Sequence, residues 1–486
     1  MNWIFLAARL PVSTLLTIGA IGGLIIVAWS YGRWRAAVKV ALVIALLEGA
    51  IRKWVFPGGQ ELVYFLKDIF LFGAYLRFFL SPDPELRSYR LDAPTGSVVV
   101  LALVLCLWAI NPNIGHPILG LMGLKVYLYY LPLVFMMPYL FRTQDELVRQ
   151  LTWYAYLGIP ICLLGLAQYG AGANSPLNVY AQNEAREGMG AVTFGLDTEI
   201  VRVRITGTFS YITGHTVFVC FFSALNLILL TLEQTKRKWV LVSMGLPLLA
   251  VNAMMSGSRA AVLMIALLLG GFALASFTGR LATSRYFKLT LFWGMIICSG
   301  AGIYVFKDAW MNWSSRFQGA GDTVYSRTVL HPLAAIEVAA EESPTFGVGI
   351  GVTQLVTAAL RRVMDVPAPP IRGIFFDNEF GMVMNELGML GFSVWYGLRI
   401  ALMVIVWLAY WRAPPGILSA LSLSASLLSG PFLLMSLVSN HTANVLLAAI
   451  IGLGLLPYLK PTVNRRVGRT PNIPKPVVPP TRSNPV

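Results

Sequence analysis

Apolar stretches of roughly 20 residues, the length an α-helix needs to cross the hydrocarbon core of a bilayer, recur along almost all of this chain. Candidate spans are 11–31, 36–55, 61–80, 95–111, 118–141, 147–169, 205–232, 239–256, 258–277, 287–306, 380–410, 416–438 and 441–459. Segments in lipid must satisfy their backbone polar groups internally, so spans of this kind are helices. The expected fold is all-α. It is a polytopic transmembrane helix bundle of about 12–13 spans over residues 1–460, with a large outward-facing loop that contains short helices. Composition agrees: charged residues make up 12% of the chain, about half the share of a soluble domain. The first run, Pro11–Tyr31, is long enough to stay as an anchor and has no small-residue cleavage site.

The net charge of +15 is a matter of topology once its residues are located. Arg33 and Arg35, then Arg77, Arg87 and Arg90, then Arg142 and Arg149 fall in alternate connections. Lys236-Arg237-Lys238, then Arg280, Arg285 and Lys288, then Arg412 continue the series, and Lys460, Arg465, Arg466 and Arg469 close it. If the spans alternate, all lie on one side, which the positive-inside rule makes cytoplasmic. The connections 170–204 and 307–378 then face outward, and no nucleic-acid partner is implied. Residues 461–486 hold seven prolines and no apolar periodicity, as in a disordered basic cytoplasmic tail. Cys106, Cys162, Cys220 and Cys298 each sit in an apolar stretch without CxxC spacing, so they read as buried small hydrophobes. No metal site or cofactor is implied.

The outward connections carry the chemistry-bearing residues. Arg202 and Arg204 precede Thr206-Gly207-Thr208-Phe209-Ser210-Tyr211, and Arg259 follows Ser256-Gly257-Ser258 at an expected outward turn. Arginine forks match phosphate oxygens, although arginines at helix ends also snorkel. In the large loop, apolar spacing predicts a helix over Tyr325–Glu342, with Arg327 at its start and His331 one turn on. Pro344 to Gly351 ends it in a glycine-rich turn that is not a P-loop, for lack of Gly-Lys-Ser/Thr. His331 reads equally as a structural partner or a catalytic group. Asp377-Asn378 stands where the chain re-enters the apolar phase, followed by Glu379, Glu386 and Gly388-Met389-Leu390-Gly391. Glu48, Arg52, Lys53, Lys67, Asp68 and Lys125 put both signs of charge at similar depth, which predicts pairing inside the bundle. Lys125 is placed either to pair with Glu48 or Asp68 or to meet an anionic ligand.

This order of outer Arg with Thr-Gly-Thr-Phe, then Ser-Gly-Ser-Arg, then a large loop with Arg327 and Pro344-Thr345-Phe346-Gly347-Val348-Gly349, then Asn378 with Gly388 and Gly391, resembles the O-antigen ligase/polymerase superfamily of bacterial polytopic glycosyltransferases. The likeness covers roughly residues 120–460. It implies a metal-independent, inverting transfer at the periplasmic face of the inner membrane. The donor would be a glycan on undecaprenyl diphosphate and the acceptor a hydroxyl on another glycan or lipid. By that resemblance Arg204, Arg259 and Arg327 bind the diphosphate, and Asp377 and Asn378 are catalytic. Lys125, Arg202, His331 and Glu379 are further candidates. The family usually carries His where this chain has Asp377, which favours a polymerase or exopolysaccharide transferase over a ligase. A carboxylate there is competent to take the acceptor's proton. Two other readings stand beside it: a transporter or flippase of lipid-linked sugars, and a non-catalytic subunit of envelope polysaccharide assembly.

Overall fold

The computed structural model describes residues 12–56, 60–81, 93–178, 193, 203–232, 244–281, 307, 311, 330–342, 344–367 and 379–459. The fold is helical. Among the described residues the only extended pairing is an isolated bridge between Thr193 and Val203. In chain order the helices are α1 (Val12–Gly32), α2 (Trp34–Ala50), α3 (Gln60–Leu80), α4 (Ala93–Cys106), α5 (Pro117–Leu128), α6 (Leu131–Met136), α7 (Gln144–Gly170) and α8 (Ile212–Leu230). They continue as α9 (Leu246–Met255), α10 (Arg259–Phe277), α11 (His331–Glu342), α12 (Leu355–Val363), α13 (Glu379–Arg412), α14 (Ile417–Phe432) and α15 (His441–Gly454).

Five helical stretches are long and apolar enough to cross a membrane: α7, α8, α10, α13 and the run His441–Tyr458 that α15 begins. Counting the bent pair Pro117–Leu128 with Leu131–Tyr139, there are six. This is the build of a multi-pass membrane protein. Other expected spans fall short for identifiable reasons. The span at 118–141 bends by 42°, where Pro132 opens the second helix and cannot donate to the preceding turn. The helix α2 relaxes into a π turn, Ile51–Val55, where Arg52 and Lys53 enter. In α3, Lys67 and Asp68 interrupt an otherwise apolar stretch. The expected span at 287–306 lies outside the described residues.

Local sequence fixes several helix starts. Thr143 accepts a hydrogen bond from the Glu146 amide at 3.2 Å, and Glu146 Oε2 reaches back to the Arg142 amide at 3.0 Å. His116 caps α5 through the Ile118 amide, with Pro117 at the first position. Asn440 caps α15 through the Ala443 amide at 3.1 Å. One apolar core joins α2, α3, α6, α7, α8, α10, α13, α14 and α15. A second, around Trp108, Tyr127, Val348, Ile350, Leu387 and Trp395, seats the loop after α11 on the bundle.

The two ends of the bundle gather different residues. At one, Arg35 Nε donates to the Tyr139 carbonyl at 3.2 Å and Lys39 Nζ pairs with Glu146 Oε1 at 2.7 Å. Arg77 lies over Tyr31, Arg280 over Trp411 and Arg412 over Tyr458. These include several of the residues the sequence places in alternate connections on one side. At the other end the last turn of α2, the first turns of α3, the end of α7, the entry to α8, the α9–α10 turn and the start of α15 meet. The α15 helix joins the two, since His441 touches Tyr64 at one end and Tyr458 follows at the other.

Candidate functional site

The segment entering α8 is held from three directions. Gln168, near the end of α7, accepts from the Gly207 amide at 2.7 Å and the Thr206 amide at 3.2 Å, and returns a bond to the Gly207 carbonyl. Lys53 donates to Thr206 Oγ1 at 3.0 Å and to the Gly207 carbonyl at 2.9 Å. Thr208 Oγ1 donates to the Leu46 carbonyl at 2.6 Å. Gly49 is what allows this approach, because a Cβ there would run into the backbone of Thr208, Phe209 and Ser210.

Two of the predicted arginines stand at one turn on this platform. Arg204 Nε donates to the Ser256 carbonyl at 2.9 Å, and the Ile205 amide donates to the Met255 carbonyl. Arg259 is the first residue of α10, just past that turn, in which Ser256 Oγ accepts from the Ser258 amide. Both arginines are half-buried. Arg202, Arg327, Asp377 and Asn378, predicted for the same site, lie outside the described residues.

Beside this platform the predicted charge pairing takes a definite form. Glu48 accepts from Lys67 Nζ at 2.6 Å and lies 3.7 Å from Arg52 Nη1. Arg52 also reaches Ser210 Oγ at 3.3 Å. Lys125 Nζ lies 2.9 Å from Asp68 Oδ2, while Asp68 Oδ1 accepts from the Tyr130 hydroxyl at 2.7 Å. Lys125 thus pairs with Asp68 rather than Glu48. Tyr64 stands in the middle and hydrogen-bonds His441 Nε2. The sequence reading passed over Tyr64, Gln168 and His441. Each had a faint signal: Asn440-His441 is a polar pair opening an apolar run, and Gln168 is a lone amide near the end of a long helix.

The loop residues have mostly structural duties. Glu386, wholly buried, accepts from the Tyr127 hydroxyl at 2.6 Å and from the Gly351 and Thr353 amides at 2.9 Å each, with the Thr353 hydroxyl as a fourth donor. It pairs inside the bundle, as its position two turns into α13 suggests. Glu379 is likewise engaged, by Arg399 and by the Leu437 and Val438 amides. Within the predicted Tyr325–Glu342 the loop helix is described over His331–Glu342, with residues 325–329 outside the described residues, and His331 is exposed on it. Gly388 and Gly391 of the apolar-phase motif are packing positions. Gly388 has φ +65° and lies against Thr345 and Gly347, and Gly391 lies against Trp108. The Trp108 indole donates to the Leu387 carbonyl at 2.7 Å and the Phe346 carbonyl at 3.1 Å. The motif is where the glycine-rich turn docks.

Comparison with protein-family models, with curated proteins and with solved structures gives no match.

Proposed function

We propose that the chain transfers a glycan from an undecaprenyl diphosphate carrier to a sugar hydroxyl, as an O-antigen or exopolysaccharide polymerase-like enzyme. It does so at the periplasmic face of a bacterial inner membrane, through a bundle of 12–13 spans. The observation that carries the reading is the meeting of Arg204 with the Ser256–Arg259 turn. A diphosphate leaving group gathers negative charge as the glycosidic bond breaks, and cations fixed in place stabilise it without reorganising. The acceptor oxygen attacks the anomeric carbon, its proton passes to Asp377, and the diphosphate departs with the bonding electrons. The basic end of the bundle supports the orientation, since Arg35, Arg77, Arg142, Arg280 and Arg412 belong on the cytoplasmic side.

The test is reconstitution of the full chain in vesicles with a lipid-linked oligosaccharide, measuring glycan elongation and release of the carrier diphosphate. Arg204→Lys and Arg259→Lys are expected to slow turnover on the order of a hundredfold, because a point charge does not reproduce a bidentate fork. The bent pair α5–α6 favours the transporter alternative, since broken helices build transporter sites. Carrier crossing the bilayer with no new glycosidic bond would select that reading.

A further inference from the structure

Two buried nitrogens beside the Tyr64 ring have no hydrogen-bond partner, Arg52 Nε and His441 Nδ1, and next to them Lys125 Nζ is held by the Asp68 carboxylate at 2.9 Å. Buried polar groups are seldom left unsatisfied, and two beside one side chain, with ammonium groups next to them, call for a common acceptor. The grouping is tight. Lys125 Nζ lies 4.1 Å, Lys67 Nζ 5.1 Å and the Arg52 guanidinium carbon 6.0 Å from the ring centroid, and the His441 ring is 4.9 Å away.

Charge points the same way. Arg52, Lys67 and Lys125 are three cations, and among the described residues only Glu48 and Asp68 pair with them, so one positive charge stays uncompensated. The walls, Glu48, Lys67 and Asp68, are buried, while Arg52, Tyr64 and His441 are half-buried. The half-buried members gather at the start of α15, at the end of the bundle where Arg204 also lies.

We propose that this cluster is an oxyanion site that takes a phosphate group. A tetrahedral phosphate offers acceptor oxygens in several directions, which suits donors arriving from α5, α15 and the π turn after α2. Its negative charge matches the sign of the excess, and lysines serve it as point charges. The ligand is either a free phosphate or pyrophosphate, or the phosphate of a lipid headgroup. The site is built from helices other than those that carry Arg204 and Arg259, and it stands whether or not the chain is a transferase.

The test measures binding to the full chain in phosphatidylcholine nanodiscs. The probes are inorganic phosphate, pyrophosphate, and nanodiscs doped with phosphatidylglycerol or a polyprenyl phosphate. At least one probe should bind and raise the thermal unfolding midpoint of the wild type with concentration. Lys125→Gln, Arg52→Gln and His441→Phe should each weaken that binding by about 10- to 100-fold, while Arg280→Gln, at the opposite end of the bundle, leaves it within about twofold. Binding of the soluble anions identifies a free-phosphate site, and response to the doped discs alone identifies a lipid headgroup. The proposal is overturned if no probe shifts the wild-type midpoint. It is also overturned if the three variants bind as the wild type does, or if Arg280→Gln weakens binding as much as they do. Each result is independent of glycan elongation, so loss of this site and loss of the transferase reading are separable.

Discussion

Glu48 Oε2 and Lys67 Nζ lie 2.6 Å apart, joining the last turn of α2 to the first turns of α3 through two nearly buried side chains. A buried ion pair is weak evidence of stability, but breaking one is costly because the surviving charge keeps its burial and loses its partner. Lys67→Met is therefore expected to destabilise the protein by about 3–5 kcal/mol. The double variant with Glu48→Leu should cost less than the sum of the two single changes. Denaturant unfolding in mixed micelles measures all three, and additive losses would show that the two side chains are not coupled.

Gly388→Ala should be severe. Its backbone angles of φ +65° and ψ −176° belong to a region essentially reserved for glycine, where any other residue carries a strain of order 1–3 kcal/mol. The added methyl group would also strike Thr345 and Gly347. Gly397→Ala, in the same helix with no atom within 4 Å of the added carbon, should be neutral or stabilise by roughly 0.5–1 kcal/mol. Unfolding midpoints, with limited proteolysis across 344–353 as a local probe, compare the two. Equal behaviour would remove the docking role assigned to Gly388.

Glu386→Gln tests the other half of that dock. The carboxylate accepts from four donors. An amide in its place turns one acceptor atom into a donor and leaves buried N–H groups facing it, at about 1–3 kcal/mol. Hydrogen exchange at the Gly351 and Thr353 amides should speed up while exchange in α8 stays as it was. Acceleration throughout the bundle would mean global loosening instead.

Much of this was legible from residue pattern. Alternating Lys and Arg placed Arg35, Arg77, Arg280 and Arg412 together, and they share one end of the bundle. Mixed charge at one depth foretold the pairing of Glu48, Lys67, Asp68 and Lys125, because isolated charges there are too expensive to keep. Helix length was less legible. Hydropathy counts apolar residues but does not see the bend after Leu128 or the π turn at Ile51, which arise from a proline and from arginine and lysine seeking partners. Tyr64 and His441 were hidden for another reason. They are 377 positions apart and neither carries a formal charge, so only packing of α3 against α15 brings them together.

Asp377 is the last and most exacting test of the transferase reading. It precedes α13, which begins at Glu379, and Glu379 is held by Arg399 and the amides of Leu437 and Val438. That engagement leaves Glu379 poorly suited to take a proton from an acceptor, so the reading depends on the neighbouring carboxylate. Asp377→Asn should abolish glycan elongation while the protein still inserts and still binds lipid-linked donor. Asp377→His should keep part of the rate, because imidazole titrates near neutrality and takes up a proton as readily. Asp377→Ser separates chemistry from helix capping: serine caps a helix about as well as aspartate does, and a lost cap costs only about 1 kcal/mol. Normal elongation by the serine variant in a reconstituted assay would take Asp377 out of the mechanism, and the proton would then need another acceptor.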